Sequence, residues 1–421
     1  MTAKSMIMLI LSRALAGMGA AAIFSSVYII ISEMVPLKDR ANYQGVLSIA
    51  YGSAAIIGPL VGGGFTDHVT WRWAFLINLP IGGVVLLLLF LFLDLPTQST
   101  SFFAKLKRID YVGTFLILSA SVLFLLALNF GSGGYTWVSV AVLVPLVMSF
   151  VLLVVFGVVE CRYAQEPILD PRFFRNRSVV GTVLVNLFLG INTFAVFYYV
   201  PLYLQVVKGD SALLSGVRLI PLQIGANVFV IISGFLITKT QTYRPCLWIG
   251  TTLTTVNMGL LCLLDVDTGF PGMYGMFAFI GFTNGLLFTS TLISIQSAVE
   301  PEDIAVVTGL QHFSRLLGGA IGIATGSSIL NSALAVKLPH VLPPDYVALV
   351  IESSYFIHNG LPGQYLAATL QAYAESLRLI WYVMIPLAGL GVVSSLLIKH
   401  HDLQRHESPT QDNSSTISNT A

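Results

Sequence analysis

The stretch Gly52–Gly64, GSAAIIGPLVGGG, decides how the chain is read. It lies inside a long apolar run, where a helix is expected, and Ala54, Gly58 and Gly62 then fall at i, i+4 and i+8 on one face. Two helices in lipid gain nothing from hydrophobic burial against each other. A stripe of small residues lets their backbones come close enough for packing to replace it. Pro59 removes one backbone donor within the stripe and loosens the helix locally. A helix of this kind can kink and slide against a neighbour. A bare small-residue repeat also describes an ordinary packing face, and the pairing of Gly58-Pro59 with Gly62-Gly63 is the more specific feature.

The surrounding composition sets the class. The chain of 421 residues is 55% hydrophobic and 10% charged, with a mean hydropathy of +0.83, whereas soluble domains carry about 25% charged residues. A formal net charge of +1 offers no basic field for nucleic acid. Cys161, Cys246 and Cys262 have neither metal-ligand nor redox spacing, and no nucleophile–base pair, metal cluster or phosphate-binding loop marks an enzyme. An all-α, multi-pass membrane protein is expected.

Apolar runs of about 20 residues fall near 6–32, 43–64, 73–93, 111–129, 137–158, 179–201, 216–238, 246–264, 272–296, 305–330 and 378–398. Eleven spans place the two ends on opposite sides. One set of loops and the tail hold thirteen Lys and Arg residues, against five in the alternate loops and span edges. The cationic side faces the cytoplasm, so the C-terminus is expected inside and the N-terminus outside. Met1–Ser5 shows no charged-then-apolar leader with a cleavage site, and an outward start of this kind leads us to expect further helices upstream.

Arg13 sits on one helical face with Gly17, Ala21, Phe24 and Tyr28. An intramembrane Arg costs about 3 kcal/mol or more unless it meets a partner or a cavity; snorkelling to the interface is the alternative. A second helix repeats the small-residue device, with Gly318, Gly322 and Gly326 at i, i+4 and i+8, and with His312 and Arg315 sharing a face just before them. Each of these helices follows a Pro-containing link (Pro36, Pro301), which reads as an internal repeat. Asn186 and Asn192, Gln223 and Asn227, Asn257, and Asn284 place amides on four consecutive spans. Amides in lipid glue helices together, but four helices carrying them also fit a cavity with a few polar groups on apolar walls. Tyr198, Tyr199 and Tyr203 read as an interfacial belt. The chain divides into 1–94, the remainder of a first bundle; 95–178, two linker spans with connectors; 179–399, a second bundle with an external loop at 331–376; and 400–421, a disordered cytoplasmic tail.

Taken together, RALAGMGAA (Arg13–Ala21), GSAAIIGPLVGG (Gly52–Gly63), WRWAFLINLPIG (Trp71–Gly82), YVPLYLQVVKGDSALLSGVRLIP (Tyr199–Pro221) and the segment Arg315–Gly322 resemble the fourteen-span drug:proton antiporters of the major facilitator superfamily, closest to fungal toxin-efflux pumps. The first run is similar to the family's fourth helix, so three upstream spans would complete fourteen. The resemblance implies two helical bundles with two extra linker helices and export of small organic molecules by a monomer. It also implies inward proton flow in place of a cofactor, and a home in the plasma membrane, or else a vacuolar or vesicle membrane. By the same resemblance, Arg13 belongs to a motif tied to proton transfer, and Gly52, Gly58, Pro59, Gly62 and Gly63 to the antiporter helix, in which Gly58→Leu would block close approach. Two departures stand out: the family's cytoplasmic Gly/Asp/Arg loop is absent, and all twenty Asp and Glu residues lie in loops or at span ends. His312, Arg315 and Arg13 are therefore the proton-coupling candidates, with the coupling acid expected upstream. A sugar-type uniporter, an iron-chelate carrier of the same fold and a non-transporting membrane protein are the rival readings.

Overall fold

The computed structural model describes residues 5–34, 37–92, 110–132, 135–163, 168–300, 303–352 and 354–401. The links at Pro36 and Pro301, most of the first cationic connector and the tail beyond 401 lie outside them, as do the side chains of Phe24, Tyr28 and Pro59. The described chain is helical: α1 (Met6–Met34), α2 (Leu37–His68), the short α3 (Trp73–Leu76), α4 (Asn78–Phe92), α5 (Tyr111–Ser132), α6 (Val140–Arg162), the short α7 (Pro171–Arg175), α8 (Arg177–Val206), α9 (Ala212–Arg218), α10 (Ile220–Thr240), α11 (Arg244–Leu261), α12 (Phe270–Gln296), α13 (Ile304–Lys337), α14 (Pro344–Glu352), α15 (Ser354–Asn359) and α16 (Gly363–Leu396).

Every expected span coincides with helix. Among the described residues nine helical segments are long and apolar enough to cross a membrane; α2 and α11 are helices outside that count. For α11 the reason is chemical. Its 18 residues include Thr251, Thr252, Thr254, Thr255 and Asn257, and Thr251, Thr254 and Asn257 are buried, so these three face protein rather than lipid, while Thr252 is exposed.

The second half forms a six-helix bundle in which α10 packs on α12, α8 on α13 and α16, and α11 on α12 and α16. Its core holds Tyr199, Leu204, Leu222, Met258, Phe277 and Trp381. The spacing of small residues sets these pairings. A Cβ on Gly318 would strike the Leu187 carbonyl of α8, one on Gly322 the Ile191 carbonyl, and one on Gly326 the Tyr199 ring. The α13 stripe therefore packs closely on α8, backbone to backbone at Gly318 and Gly322 and against a ring at Gly326, as its i, i+4, i+8 spacing predicts. Gly281 and Gly285 do the same for α12 against Leu222 and Ala226 of α10. That GxxxG pair is legible in the sequence as GFTNG.

The first half is held more lightly. The membrane-crossing windows of α1 and α4 contain no buried residue, and α2 leans on α9 and α10 of the second half. Helices α5 and α6 pack together and α5 rests on α13, with the buried Ser149 hydroxyl donating to the Ala120 carbonyl at 2.8 Å.

Two expectations are corrected. The connection after α13 does not occupy 331–376: α13 continues to Lys337, α16 starts at Gly363, and α14 and α15 lie between them. At 1.5 Å per residue, helices of 34 residues extend well beyond a hydrocarbon core of about 30 Å, so hydropathy stops before the helix does. The tyrosines do not form a belt either. Tyr198 is 53% exposed, but Tyr199 and Tyr203 are 1% and 2% exposed. Their hydroxyls donate to the carbonyls of Ile323 at 2.5 Å and Asp265 at 2.6 Å; with a partner in reach, the ring gains more by burial than at the interface.

Candidate substrate cavity

A cavity of about 500 Å³ opens where the two halves meet. From the first half come Ala20, Ile23 and Val27 of α1 and Leu47, Ala50 and Tyr51 of α2. The second half supplies Thr193 and Phe197 of α8, Leu222, Gln223, Ala226, Asn227 and Val230 of α10, Asn284, Gly285 and Phe288 of α12, and Arg315 of α13. The volume suits a drug-sized molecule, and apolar walls with a few fixed polar groups are the usual form of such sites.

Each polar group has an identifiable origin. Asn227 donates to the Gln223 carbonyl one turn back at 2.8 Å. The Asn284 side-chain carbonyl accepts from the Thr193 hydroxyl at 2.8 Å and so ties α12 to α8 across the cavity wall. Arg315 lies with its guanidinium carbon 5.2 Å from the centre of the Phe288 ring. Its backbone is fixed because Gly190 of α8 packs directly against the Arg315 carbonyl.

Of the residues singled out by sequence, Gln223, Asn227, Asn284 and Arg315 line this cavity, and Asn186, Asn192, Asn257, His312 and Arg13 do not. Asn186 donates to the Thr182 carbonyl and Asn192 to the Phe188 carbonyl of their own helix, at 2.9 and 2.7 Å. Asn257 joins α11 to α12 through the Thr283 hydroxyl at 2.7 Å. It is helix glue, and because the Thr283 hydroxyl also donates to Ile280, its loss strands no buried donor. Asn257→Leu is expected to change stability by no more than ~1 kcal/mol, read as thermal melting in detergent; a much larger loss would mean that the amide carries a wider network. Arg13 is exposed and lies 5.3 Å from the centre of the Phe75 ring of α3.

The small-residue stripe of α2 behaves differently from its counterpart in α13. A Cβ on Gly58 or Gly62 meets nothing within 4 Å among the described residues. The close approaches are at Gly52, where a Cβ would collide with the Asn227 amide beside the cavity, and at Gly63, where it would come 2.7 Å from Leu213 Cα and 3.0 Å from Leu213 N of α9. The helix does meet a backbone closely, but at Gly63, while Gly52 meets the Asn227 side chain. Sequence also missed Thr193, Phe197, Tyr51 and Phe288. Thr193 follows Asn192 directly, and one residue turns a helical side chain by about 100°, so Thr193 reaches the cavity while Asn192 does not, although both border the small gap facing α11.

Comparison with known proteins agrees with this architecture. The profile described as "Major Facilitator Superfamily" matches residues 1–323. The chain is 33% identical over 395 residues to "MFS-type efflux pump MFS1" of Arthroderma benhamiae and of Trichophyton rubrum, covering 92% of this chain and 73% of theirs. It is 32% identical over 411 residues to "Efflux pump roqT" of Penicillium rubens, covering 97% and 76%. The fold is similar to that of a bacterial homolog of the human lysosomal transporter Spinster, crystallised inward-facing and occupied, with a TM-score of 0.51 and 17% identity over 91% of this chain and 75% of that one. This multi-pass membrane chain therefore belongs to the Major Facilitator Superfamily.

Proposed function

We propose that the chain is an efflux transporter that carries small, largely apolar organic molecules out of the cytoplasm by alternating access, driven by inward proton flow and acting as a monomer. The observation that carries this reading is the cavity itself, whose walls come from α1 and α2 on one side and α8, α10, α12 and α13 on the other. Rocking the halves against each other would expose such a space to each side in turn. Export as the direction is supported by the efflux relatives, among them an "Aspyridones efflux protein" of Neocamarosporium betae at 31% identity over 96% of this chain. The excess of Lys and Arg in one set of loops supports a cytoplasmic C-terminus, and the plasma membrane is the proposed home.

The test is dye extrusion from cells stripped of their own pumps. Cells expressing the chain are expected to retain about fivefold less of the uncharged dye Nile red than controls, a protonophore is expected to erase the difference, and ATP depletion with the proton gradient clamped is not. Extrusion that survives the protonophore would rule out proton coupling, and equal retention with or without the chain would rule out export.

A further inference from the structure

We propose that Asp110 and Glu160 form a proton-binding site, two carboxyl groups holding one proton between them, which clasps α5 and α6 to the chain that leads into α7. Neither residue lines the cavity, and the site does not depend on the export reading.

Asp110 immediately precedes α5 and Glu160 stands in the last turn of α6, so two packed helices bring their acids together at one end. One oxygen of each is in use: Asp110 Oδ1 accepts from the Gly113 amide at 2.8 Å, and Glu160 Oε2 from the Leu169 amide at 3.1 Å. The other two, Asp110 Oδ2 and Glu160 Oε1, are buried and accept no hydrogen bond among the described residues. They converge beside Gly113, where an added Cβ would strike Asp110 Oδ2 and lie 2.7 Å from Glu160 Oε1. Glu160 is 5% exposed, so water screens the pair poorly. Two ionised carboxyls facing each other in such a place repel. A single proton removes one charge and supplies the missing donor, which is why facing carboxyls titrate as a pair.

The other charged or titratable side chains on the elements around them are Tyr111 of α5, Cys161 and Arg162 of α6, Tyr163, Asp170, Arg172 and Arg175 toward and within α7, and His312 and Arg315 of α13. Arg172 pairs with Asp170 and Asp303, and among the described residues no cation pairs with Asp110 or Glu160. Lys105, Lys107 and Arg108 lie outside the described residues. With the proton in place, Glu160 joins α5 through Asp110 and the following chain through Leu169. Without it the carboxylates repel and the joint loosens. The folded chain then binds a proton that the unfolded chain releases at neutral pH. Stability from the site is therefore present at low pH and lost as pH rises through the titration of the pair.

The test uses the full chain in detergent with Glu160→Gln and Asp110→Asn, each of which replaces the shared proton by an amide donor and leaves the Leu169 and Gly113 bonds possible. At neutral pH the infrared spectrum of the unaltered chain is expected to show the C=O stretch of a protonated carboxyl that both variants lack. Melting supplies the second measurement. All three proteins are expected to melt alike at about pH 6, and the unaltered chain to fall about 3 °C or more below the variants by about pH 9. Should Glu160→Gln fail to fold, Asp110→Asn and the loss of the infrared band on raising the pH of the unaltered chain decide the question. A band that persists in the variants, no such band at neutral pH, or melting profiles that run parallel across the pH range would overturn the proposal. Recovery of the unaltered chain at the higher pH on adding calcium or sodium chloride, but not choline chloride, would make this a metal-cation site and overturn the shared proton.

Discussion

Gly322→Leu is expected to remove the folded protein from the membrane. A Cβ at this position runs into the Ile191 carbonyl and lies 2.9 Å from both Ile191 C and Ile191 Cα. The obstacle is backbone in the middle of a 30-residue helix, so it cannot swing aside as a side-chain tip could. Overpacking in a fitted core costs about 1–3 kcal/mol where side chains can adjust, and here the α8–α13 pair would have to separate along its length, undoing the contacts at Gly318 and Gly326 as well. A destabilisation of ~3 kcal/mol or more follows, enough to unfold a marginally stable protein. The readout is the monodisperse peak of a fluorescent fusion in detergent, together with its melting temperature. Gly309→Leu is the control: it lies on the same helix, where a Cβ meets nothing within 4 Å, and it is expected to express and melt like the unaltered chain. A normal peak for Gly322→Leu would mean that α8 and α13 are not packed as described.

The second large effect is on transport rather than folding. Gly63→Leu is expected to lower dye extrusion about tenfold or more while leaving insertion and expression in place; tenfold in an equilibrium corresponds to ~1.4 kcal/mol. The reason lies in what Gly63 touches. Its Cβ would press on Leu213 of α9, in the short helix between α8 and α10, so the clash falls between the two halves and not inside either core. Each half can still fold, but the arrangement that brings α2 onto α9 becomes costly, and a cycle that must visit it slows in proportion to its lost population. Gly58→Leu is the companion variant. The small-residue spacing alone makes Gly58 the bearing surface, yet among the described residues nothing lies within 4 Å of its Cβ, so extrusion is expected to continue. Normal extrusion by Gly63→Leu combined with loss in Gly58→Leu would return the bearing role to the stripe.

The α2 and α13 helices show how far a pattern can be read. Both carry small residues at i, i+4 and i+8, glycine throughout in α13 and Ala54, Gly58 and Gly62 in α2; in α13 all three sites touch α8, whereas in α2 the approaches fall at Gly52 and Gly63 instead. Spacing tells which residues share a face of a helix. It does not tell which face the partner takes, because that depends on the rotation of the helix in the assembled bundle. The amides divide on the same ground. Asn192 and Thr193 are neighbours in sequence, yet only Thr193 of the two lines the cavity, although both border the gap toward α11.

From the sequence alone came the membrane class, helix at each of the eleven places, the close packing of α13 and the family, because apolar length and small-residue spacing are local properties that lipid turns directly into structure. Only the tertiary structure decided that Gln223, Asn227, Asn284 and Arg315 share one cavity while Asn257 holds helices together, and that Tyr199 and Tyr203 are core rather than belt. Those assignments depend on helix rotation and on which distant carbonyl or ring lies opposite. Such facts arise when helices far apart in the chain meet, and no window of sequence contains them.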